Sequence, residues 1–331
     1  MTHRCSNSRG TARGLQSCAW LLLWLLPFTA NAACTFGAGT VTIGQSPNTI
    51  STRQIYDGSI SAPQTPISSG AVCSTLVNLL IVQKIKATLQ SSTNSMTLKR
   101  VGGTETIPYQ IFPDSTYAGP FTVGLTYDYS RIDILTLFLG PAGALPFYVR
   151  VPVGGPNVPQ GTYTDTLTFN WDVNLCAVGV AACVVTSFAG TGTTTVTVTL
   201  QVLKACSVTA SNIYFGSLAL LSQAASQQGT VSVSCSIGEG YQLGFDNGDH
   251  ASGTLRRLYN ATTNQYINYR VFKSDNSEWH ATWGTSDIIS AFGAGHSGVG
   301  TSYNYRLTID SGQTTPAPAS YTDRIRVQVY F

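Results

Sequence analysis

Apolar and polar residues alternate along several stretches of the chain. Two of these stretches, at 166–173 and 324–331, each place four apolar side chains on one face: Leu167, Phe169, Trp171 and Val173 in the first, and Ile325, Val327, Val329 and Phe331 in the second. A period of two is typical of strands with one buried face. No long stretch shows an apolar period of 3.6, and turn residues are frequent. The pattern predicts an all-β protein built of β-sandwiches, with little helix.

Four sequence landmarks occur twice in the same order. "CTFGAGTVTIGQ" from Cys34 resembles "CSVTASNIYFGSL" from Cys206, and a second cysteine follows each, at Cys73 and Cys235. "IPYQIF" at 107 then corresponds to "INYRVF" at 267, and "GTYTDTLTF" at 161 corresponds to "ASYTDRIRV" at 319. Such an ordered repeat predicts a duplicated domain.

The two copies differ after the strand that begins with Tyr-Thr-Asp. The first copy continues into "TTTVTVTLQVL", which places four apolar residues on one face: Val196, Val198, Leu200 and Val202. The second copy ends at Phe331. We expect strand 194–203 to complete an N-terminal domain (33–203) in cis, and a C-terminal domain (204–331) to lack its final strand. An apolar groove and an exposed strand edge would remain, and a strand from another chain can fill them.

The first 32 residues have the features of a secretory signal peptide. Three arginines precede the apolar run "AWLLLWLLPF" at 19–28, and the small residues of "ANA" precede a cleavage site after residue 32. The apolar run has about ten residues, whereas a membrane span needs roughly 20. Asn31 stands where a lipoprotein signal has a leucine-like residue, which argues against lipidation of Cys34. We therefore expect an exported chain without residues 1–32.

Charge and cysteine content bear on the binding partners and on the disulfides of the chain. The chain has 18 Lys and Arg against 15 Asp and Glu, and removal of the leader's three arginines leaves 15 against 15. A neutral chain with evenly spread charges is not expected to bind nucleic acid. The leader also removes two of the eight cysteines, and an even set in an exported chain favours disulfides. The shared order favours three pairs, although other connectivities are possible: Cys34 with Cys73, Cys206 with Cys235, and Cys176 with Cys183.

The C-terminal domain resembles the spore coat U domain, the pilin module of archaic, Csu-type chaperone-usher pili. The resemblance spans 204–331 and rests on "CSVTASNIYFGSL", "VSVSCSIGEGYQLGFDNG", "LRRLYN", "INYRVF", the "TWG" at 282–284 and the closing "ASYTDRIRVQVYF". The N-terminal half is similar more loosely, since it keeps the cysteine pair, "IPYQIF" and "GTYTD" but has no counterpart of the Trp-Gly. This resemblance implies two tandem immunoglobulin-like, pilin-type β-sandwich domains, the second lacking its final strand.

The resemblance also implies a place in a pilus. In this family an ordinary pilin donates an extension that precedes its first cysteine, whereas here one residue precedes Cys34 after cleavage. A subunit that accepts a strand without donating one stands at the distal end. The resemblance therefore implies the two-domain tip adhesin of such a pilus, secreted via the periplasm to the cell surface and mediating adhesion and biofilm formation. Its implied partners are a periplasmic chaperone, an outer-membrane usher, the adjacent pilin that donates a strand, and an abiotic or cell surface.

In the tip adhesins of this family, apolar loops at the far pole of the N-terminal domain are implied to contact surfaces. "CAVGVAAC" at 176–183 is the first candidate, because a cysteine staple would restrict the loop before contact; its contact residues are Ala177, Val178, Val180 and Ala181. The second candidate is "LTLFLGPAGALPFY" at 135–148, with Leu137, Phe138, Leu139, Ala144 and Leu145. Weaker candidates are "PISSGAV" at 66–72 and the aromatic residues Tyr117, Phe121 and Tyr129. The alternative for each loop is a buried strand end.

Signatures of catalysis and of metal binding are weak. The chain has no G-x-S-x-G and no H-E-x-x-H, so we do not expect an enzyme, a metal or a cofactor. "DNGDH" at 246–250 could ligate a cation, but Asn-Gly flanked by aspartates favours a hairpin turn. Arg256 and Arg257 are expected at a strand edge with ion-pair partners, and the alternative is an anion site. The alternative function is a stand-alone secreted binding module, a lectin or a coat protein, with a self-sufficient C-terminal domain.

Overall fold

Strands dominate the structure, a computed structural model, as the alternation predicts. It describes residues 34–43, 49–58, 67–73, 84–129, 144–152, 154–179, 183–282, 287–298 and 300–331, without the side chains of 176–179, 183–185 and 187. The expected signal peptide at 1–32 lies outside the described residues. The helical segments include α1 (Thr52–Asp57) and a short 3-10 turn over Leu221–Gln223. None of the described helices has the length and apolar character needed to cross a membrane.

The first domain contains two sheets, one of four and one of eight strands. Its strands are β1 (Cys34–Phe36), β2 (Ala38–Ile43), β3 (Ile50–Ser51), β4 (Ile67–Cys73), β5 (Lys84–Ser92), β6 (Thr97–Arg100), β7 (Thr106–Pro108), β8 (Gln110–Phe112), β9 (Thr126–Asp128), β10 (Ala144–Arg150), β11 (Gly161–Gly179) and β12 (Cys183–Leu203). The smaller sheet has the order β1-β4-β10-β8. The larger has the order β2-β12-β11-β5-β9, with β3 on β12, β6 on β11 and β7 on β6.

The second domain repeats this plan with fewer strands. It consists of β13 (Cys206–Ala210), β14 (Gln227–Cys235), β15 (Gly240–Phe245), β16 (Arg256–Asn260), β17 (Gln265–Lys273), β18 (Ile289–Phe292), β19 (Thr301–Ile309) and β20 (Val327–Tyr330). One sheet has the order β13-β14-β19-β17-β16 and the other has the order β18-β15-β20. The chain is therefore an all-β protein of two β-sandwiches.

In each domain, a disulfide joins the equivalent pair of strands. Cys34 lies opposite Cys73 in β1 and β4, and Cys206 lies opposite Cys235 in β13 and β14. Both pairs are bonded, as their shared order predicts. The third predicted pair, Cys176 with Cys183, involves side chains outside those described and stays a prediction.

A tyrosine and an aspartate join two of the repeated landmarks in each domain. In the first, the Tyr109 hydroxyl donates to Asp165 Oδ2 at 2.8 Å. In the second, the Tyr269 hydroxyl donates to Asp323 Oδ2 at 2.6 Å. Burial and the neighbouring carboxylate raise the pKa of both tyrosines well above its ordinary value, so both stay protonated donors. "IPYQIF" and "INYRVF" thus each supply a tyrosine that bonds to the aspartate of the Tyr-Thr-Asp landmark in the same domain.

Two residues, Lys204 and Ala205, connect the last strand of the first domain to the first strand of the second. Ser236 holds this connection, because its hydroxyl accepts from the Ala205 amide at 2.8 Å and its own amide donates to the Ala205 carbonyl at 3.0 Å. Ser236 directly follows the disulfide-bonded Cys235. The connection is therefore fixed to the rigid part of the second domain.

Helix α1 extends this contact into a joint between the domains. A capping box formed by Ser51 and Gln54 fixes the start of the helix. Its first residue, Thr52, is fully buried, with Oγ1 2.6 Å from Ser236 Oγ and 2.8 Å from His296 Nε2. Asn157 adds a second contact, because its Oδ1 accepts from the His296 amide at 3.1 Å. Short, buried polar contacts thus join the two domains.

Candidate functional site

In the first domain, β12 fills a position between two other strands. It runs antiparallel to β11 and parallel to β2, whose residues 38–43 lie beside 195–200. Its inward side chains are at most 1% exposed: Val196, Val198, Leu200 and Val202. They complete the core above the apolar face of β11.

In the second domain, the corresponding position has no strand among the described residues. β20 corresponds to β11, since both follow Tyr-Thr-Asp. β11 pairs with β5 on one edge and with β12 on the other, whereas β20 pairs with β15 on one edge only. An uncovered strand edge is a template for pairing with another chain.

The core beneath that edge is incompletely covered. Leu167, Phe169 and Trp171 of β11 are at most 1% exposed, whereas their counterparts Ile325, Val327 and Val329 are only half-buried. The last residue of the alternating series is 41% exposed in the second domain, at Phe331, against 1% at Val173 in the first. The same sequence pattern is therefore satisfied in one domain and not in the other.

The opposite side of the gap shows the same difference. Val41 and Ile43 of β2 are buried beside β12. Their counterparts, Ile213 and Phe215, lie in a segment without strand structure and are half-buried, and Tyr214 between them is 78% exposed. We call the gap lined by Ile213, Phe215, Ile325, Val327 and Val329 the edge groove. Its apolar floor and uncovered strand edge can receive one extended strand with apolar residues at alternate positions.

Within the "CAVGVAAC" segment, residues 176–179 end β11 and Cys183 begins β12. The ladder pairs Cys176 with Thr186 and Gly179 with Cys183. The side chains of Ala177 and Val178 are outside those described, and Val180 and Ala181 lie outside the described residues altogether. The last pair between β11 and β5 is Asn174 with Lys84, so the hairpin extends beyond the described part of β5. Surface contact by this loop remains a prediction.

The second loop was predicted partly wrongly. Ala144 and Leu145 are fully buried, because they begin β10, which lies between β4 and β8 in the smaller sheet. A register shift between Ala144 and Pro146 breaks the usual alternation, so four consecutive residues of β10 are buried. Neither Ala144 nor Leu145 can contact a surface from this position. Leu137, Phe138 and Leu139 lie outside the described residues.

The weaker loop candidates also belong mostly to the core. Residues 67–73 form β4, with Ser69 and Ala71 fully buried. Phe121 and Tyr129 are buried too, and the Phe121 ring contacts the Phe147 ring edge to face at 5.1 Å. Tyr117 is half-buried. Apolar composition alone marked these residues, and the strands around them explain why they are inside.

The "DNGDH" segment is not a hairpin turn, because it connects β15 in one sheet to β16 in the other. Its aspartates pair with Arg326 instead, at 3.2 Å from Asp246 Oδ2 and 2.7 Å from Asp249 Oδ1. Hydrogen bonds to the two carboxylates raise the pKa of Arg326. Within the part of the chain that the structure describes, no group of three His, Cys, Asp or Glu side chains could hold a metal ion.

The two arginines of β16 have carbonyl partners rather than the predicted ion pairs. β16 is an edge strand, as expected. Arg256 is buried, and its guanidinium donates to the carbonyls of Phe245, Asp246 and Trp279 at 2.7–3.0 Å. Burial lowers the pKa of Arg256. Arg257 lies over the Tyr266 ring at 4.1 Å, so both side chains have structural roles.

Comparison with known proteins bears on both domains. The model of the Spore Coat Protein U domain family matches residues 22–170 and 192–328. The fold is similar to one chain of the crystal structure of the CsuC–CsuE chaperone–tip adhesion subunit pre-assembly complex from the archaic chaperone-usher Csu pili of Acinetobacter baumannii. The TM-score is 0.65 and the identity 21%, over 90% of this chain and 100% of that chain.

A second solved structure is matched only weakly. CfaE, the adhesive subunit of CFA/I fimbria of enterotoxigenic Escherichia coli, has a TM-score of 0.28 and 11% identity over 89% of this chain and 92% of that chain. No curated protein matches the chain in sequence.

Proposed function

Because the chain belongs to the Spore Coat Protein U domain family, we propose that it is the tip adhesin of a chaperone-usher pilus. Its second domain would accept a donor strand from the adjacent pilin. The observation that carries this proposal is the edge groove, which occupies the position that β12 fills in the first domain. An incoming strand would cover the half-buried apolar side chains of the groove. Each Å² of apolar surface that is removed from water stabilises the complex by about 25 cal/mol.

The use of β12 within its own domain supports the tip position. β12 leads into β13 through two residues, so it is the segment that immediately precedes the second domain. Its four inward side chains are buried in the first domain. Donating this segment to another subunit would uncover the first domain's core, so the segment is committed in cis.

The partners follow from the incomplete second domain. We propose that a periplasmic chaperone protects the groove, that an outer-membrane usher then exports the subunit, and that the adjacent pilin supplies the permanent strand. The similarity in fold to a chain from a chaperone–tip adhesion subunit complex supports this order. The chain would carry a signal peptide over 1–32, an adhesin domain over 33–203 and a pilin domain over 204–331.

Adhesion would occur at the far end of the first domain. We propose the tip of the β11–β12 hairpin, with Ala177, Val178, Val180 and Ala181, as the surface that contacts abiotic materials or cells and promotes biofilm formation. The apolar composition of this segment supports the proposal. Leu137, Phe138 and Leu139 are further candidates.

Expression of the chain 33–331 in a periplasm tests the proposal. Alone, the protein should aggregate or be degraded, because the second domain exposes its core. Fusion of a copy of strand 191–203 after Phe331 should give a soluble monomer, whereas a copy with Val196→Asp and Val198→Asp should not. Stable monomeric expression without any added strand would favour a stand-alone binding module, such as a lectin or a coat protein.

A further inference from the structure

The edge groove and the occupied position in the first domain differ in width at one end. In the first domain, Gly192 of β12 lies opposite Trp171, and a Cβ at Gly192 would collide with the Phe36 ring. Any residue larger than glycine at position 192 would therefore require the Phe36 ring to move. Farther along β12, where Val196 to Val202 lie, the neighbours leave room for branched aliphatic side chains.

Both aromatic side chains are replaced by smaller ones in the second domain. Phe36 corresponds to Val208, since each is the second residue after the disulfide-bonded cysteine and each pairs with the next strand in the same register. Trp171 corresponds to Val329, eight residues after the tyrosine of Tyr-Thr-Asp. Val208 is 37% exposed and Val329 is half-buried. Two smaller, partly exposed side chains therefore lie at this end of the groove, where the first domain has two rings.

On the side of the sheet away from the groove, a larger residue replaces only part of the volume of the Trp171 ring. Leu243 lies opposite Val329, where Ala87 lies opposite Trp171, so β15 has the larger residue of the two. Leu243 is fully buried, yet Val329 remains half-buried. The uncovered surface therefore faces the groove.

The next inward position differs in polarity rather than in width. Thr194 of β12 is buried, and its hydroxyl accepts from the Trp171 indole at 2.9 Å. Val329 has no such donor. Among the described residues of the second domain, the buried indole is that of Trp279, which donates to the Leu243 carbonyl at 3.0 Å. A hydroxyl facing Val327 would be buried without this partner, which costs free energy.

We infer that the strand received by the edge groove has a large aliphatic side chain facing Val329 and an apolar side chain facing Val327, where β12 has Gly192 and Thr194. This inference rests on the proposed function and specifies the partner. The strand runs antiparallel to β20, as β12 does to β11, so the large residue lies on the N-terminal side of the series. Apolar residues facing Ile325 and beyond follow at alternate positions. The groove thereby selects a strand different from the chain's own β12.

Fusion proteins test the inference. A copy of strand 191–203 is attached after Phe331 through a tight turn of about four residues, which lets it fold back antiparallel to β20. A second fusion carries Gly192→Leu and Thr194→Val in the copy. The second fusion should raise the melting temperature of the second domain by about 5–10 °C over the first, because it buries more apolar surface.

Matched controls distinguish the effect of filling the groove on the melting temperature from the effect of a higher strand propensity. Thr193→Leu and Thr195→Val in the copy place the same residue types on the outward face and should give less than half of that rise. Gly192→Leu in β12 itself should lower the melting temperature of the first domain, because Phe36 occupies the space. Opposite signs for one substitution at two equivalent positions would be specific to the difference in width.

Two outcomes would overturn the inference, and they are distinguishable. If the unchanged copy stabilises the second domain as well as the substituted copy does, the partner's side chains are not selected by size and the proposed function stands. If neither copy stabilises it more than the copy with Val196→Asp and Val198→Asp, the groove does not accept a strand and the proposed function fails with the inference.

Discussion

Asp165 accepts four hydrogen bonds inside the first domain. It is buried, and its carboxylate accepts from the Ser92 and Tyr109 hydroxyls and from the amides of Asn94 and Thr166, all at 2.6–2.9 Å. Four donors around one carboxylate replace the water that the charge loses on folding. These bonds join the turn after β5 to β11 and to the segment beside β8.

Asp165→Asn should therefore strongly destabilise the first domain. The amide group would place N–H donors against donors, and hydrogen bonds to a charged group contribute about 1.5–3 kcal/mol each. We expect the free energy of unfolding to fall by about 3 kcal/mol in chemical denaturation. Asp172→Asn on the same strand is the control, since Asp172 forms an exposed pair with Lys84 and should change stability by less than about 1 kcal/mol. Equal effects of the two substitutions would contradict this account.

The contact between Tyr109 and Asp165 could be predicted from the sequence only indirectly. "IPYQIF" and Tyr-Thr-Asp recur in both halves, which marks them as important to the fold, but 56 residues separate Tyr109 from Asp165. A local pattern cannot show that two distant polar residues meet in the core. The duplication was visible from sequence, whereas its physical reason needed the structure.

At the scale of elements, the joint between α1 and the second domain contains a titratable group. His296 Nε2 lies 2.8 Å from Thr52 Oγ1, and Nδ1 lies 3.2 Å from Ser234 Oγ. Burial lowers the pKa of His296, Arg53 lowers it further, and Asp57 opposes them. The folded protein therefore favours the neutral imidazole more than the unfolded chain does.

This shift predicts a loss of stability in mild acid. Between the ordinary histidine pKa and the lowered one, the unfolded chain binds more protons than the folded protein, so the free energy of unfolding falls as pH falls through that window. His280 adds to the slope, because burial and Arg256 lower its pKa as well. Denaturation of the strand-complemented protein at pH 7.5 and 5.5 should show this loss, and His296→Gln should reduce it. An unchanged pH dependence in His296→Gln would contradict a buried neutral imidazole.

Strands could be predicted from sequence where one face alternates, and less well elsewhere. The alternation at 166–173 lies within β11, and the one at 324–331 contains β20. "DNGDH" has the local chemistry of a hairpin turn, yet β15 and β16 belong to different sheets. Which sheet a strand joins depends on the whole sandwich and not on the residues of one turn. Ala144 and Leu145 looked like loop residues for the same reason, because their burial depends on neighbouring strands distant in sequence.

At the scale of the whole molecule, the two domains are one fold in two states of completion. β12 lies between β11 and β2 in the first domain, and the same position is the edge groove in the second. Under the proposed function, the second domain would become stable only when a further strand fills this groove, and folding would then depend on assembly. The extra alternating strand of the first copy predicts this asymmetry from sequence. In the structure, the asymmetry appears as apolar side chains of β20 that are only half-buried.

Hydrogen–deuterium exchange tests the central claim most directly, namely that a strand from another chain completes the second domain. The chain 33–331 is refolded with a peptide copy of 191–203 carrying Gly192→Leu and Thr194→Val, or with a scrambled peptide. Amides in 211–216 and 324–331 should exchange at least about tenfold more slowly with the matching peptide, because both segments gain a neighbouring strand. Equal and strong protection with either peptide would show that the second domain is complete by itself and would contradict the account.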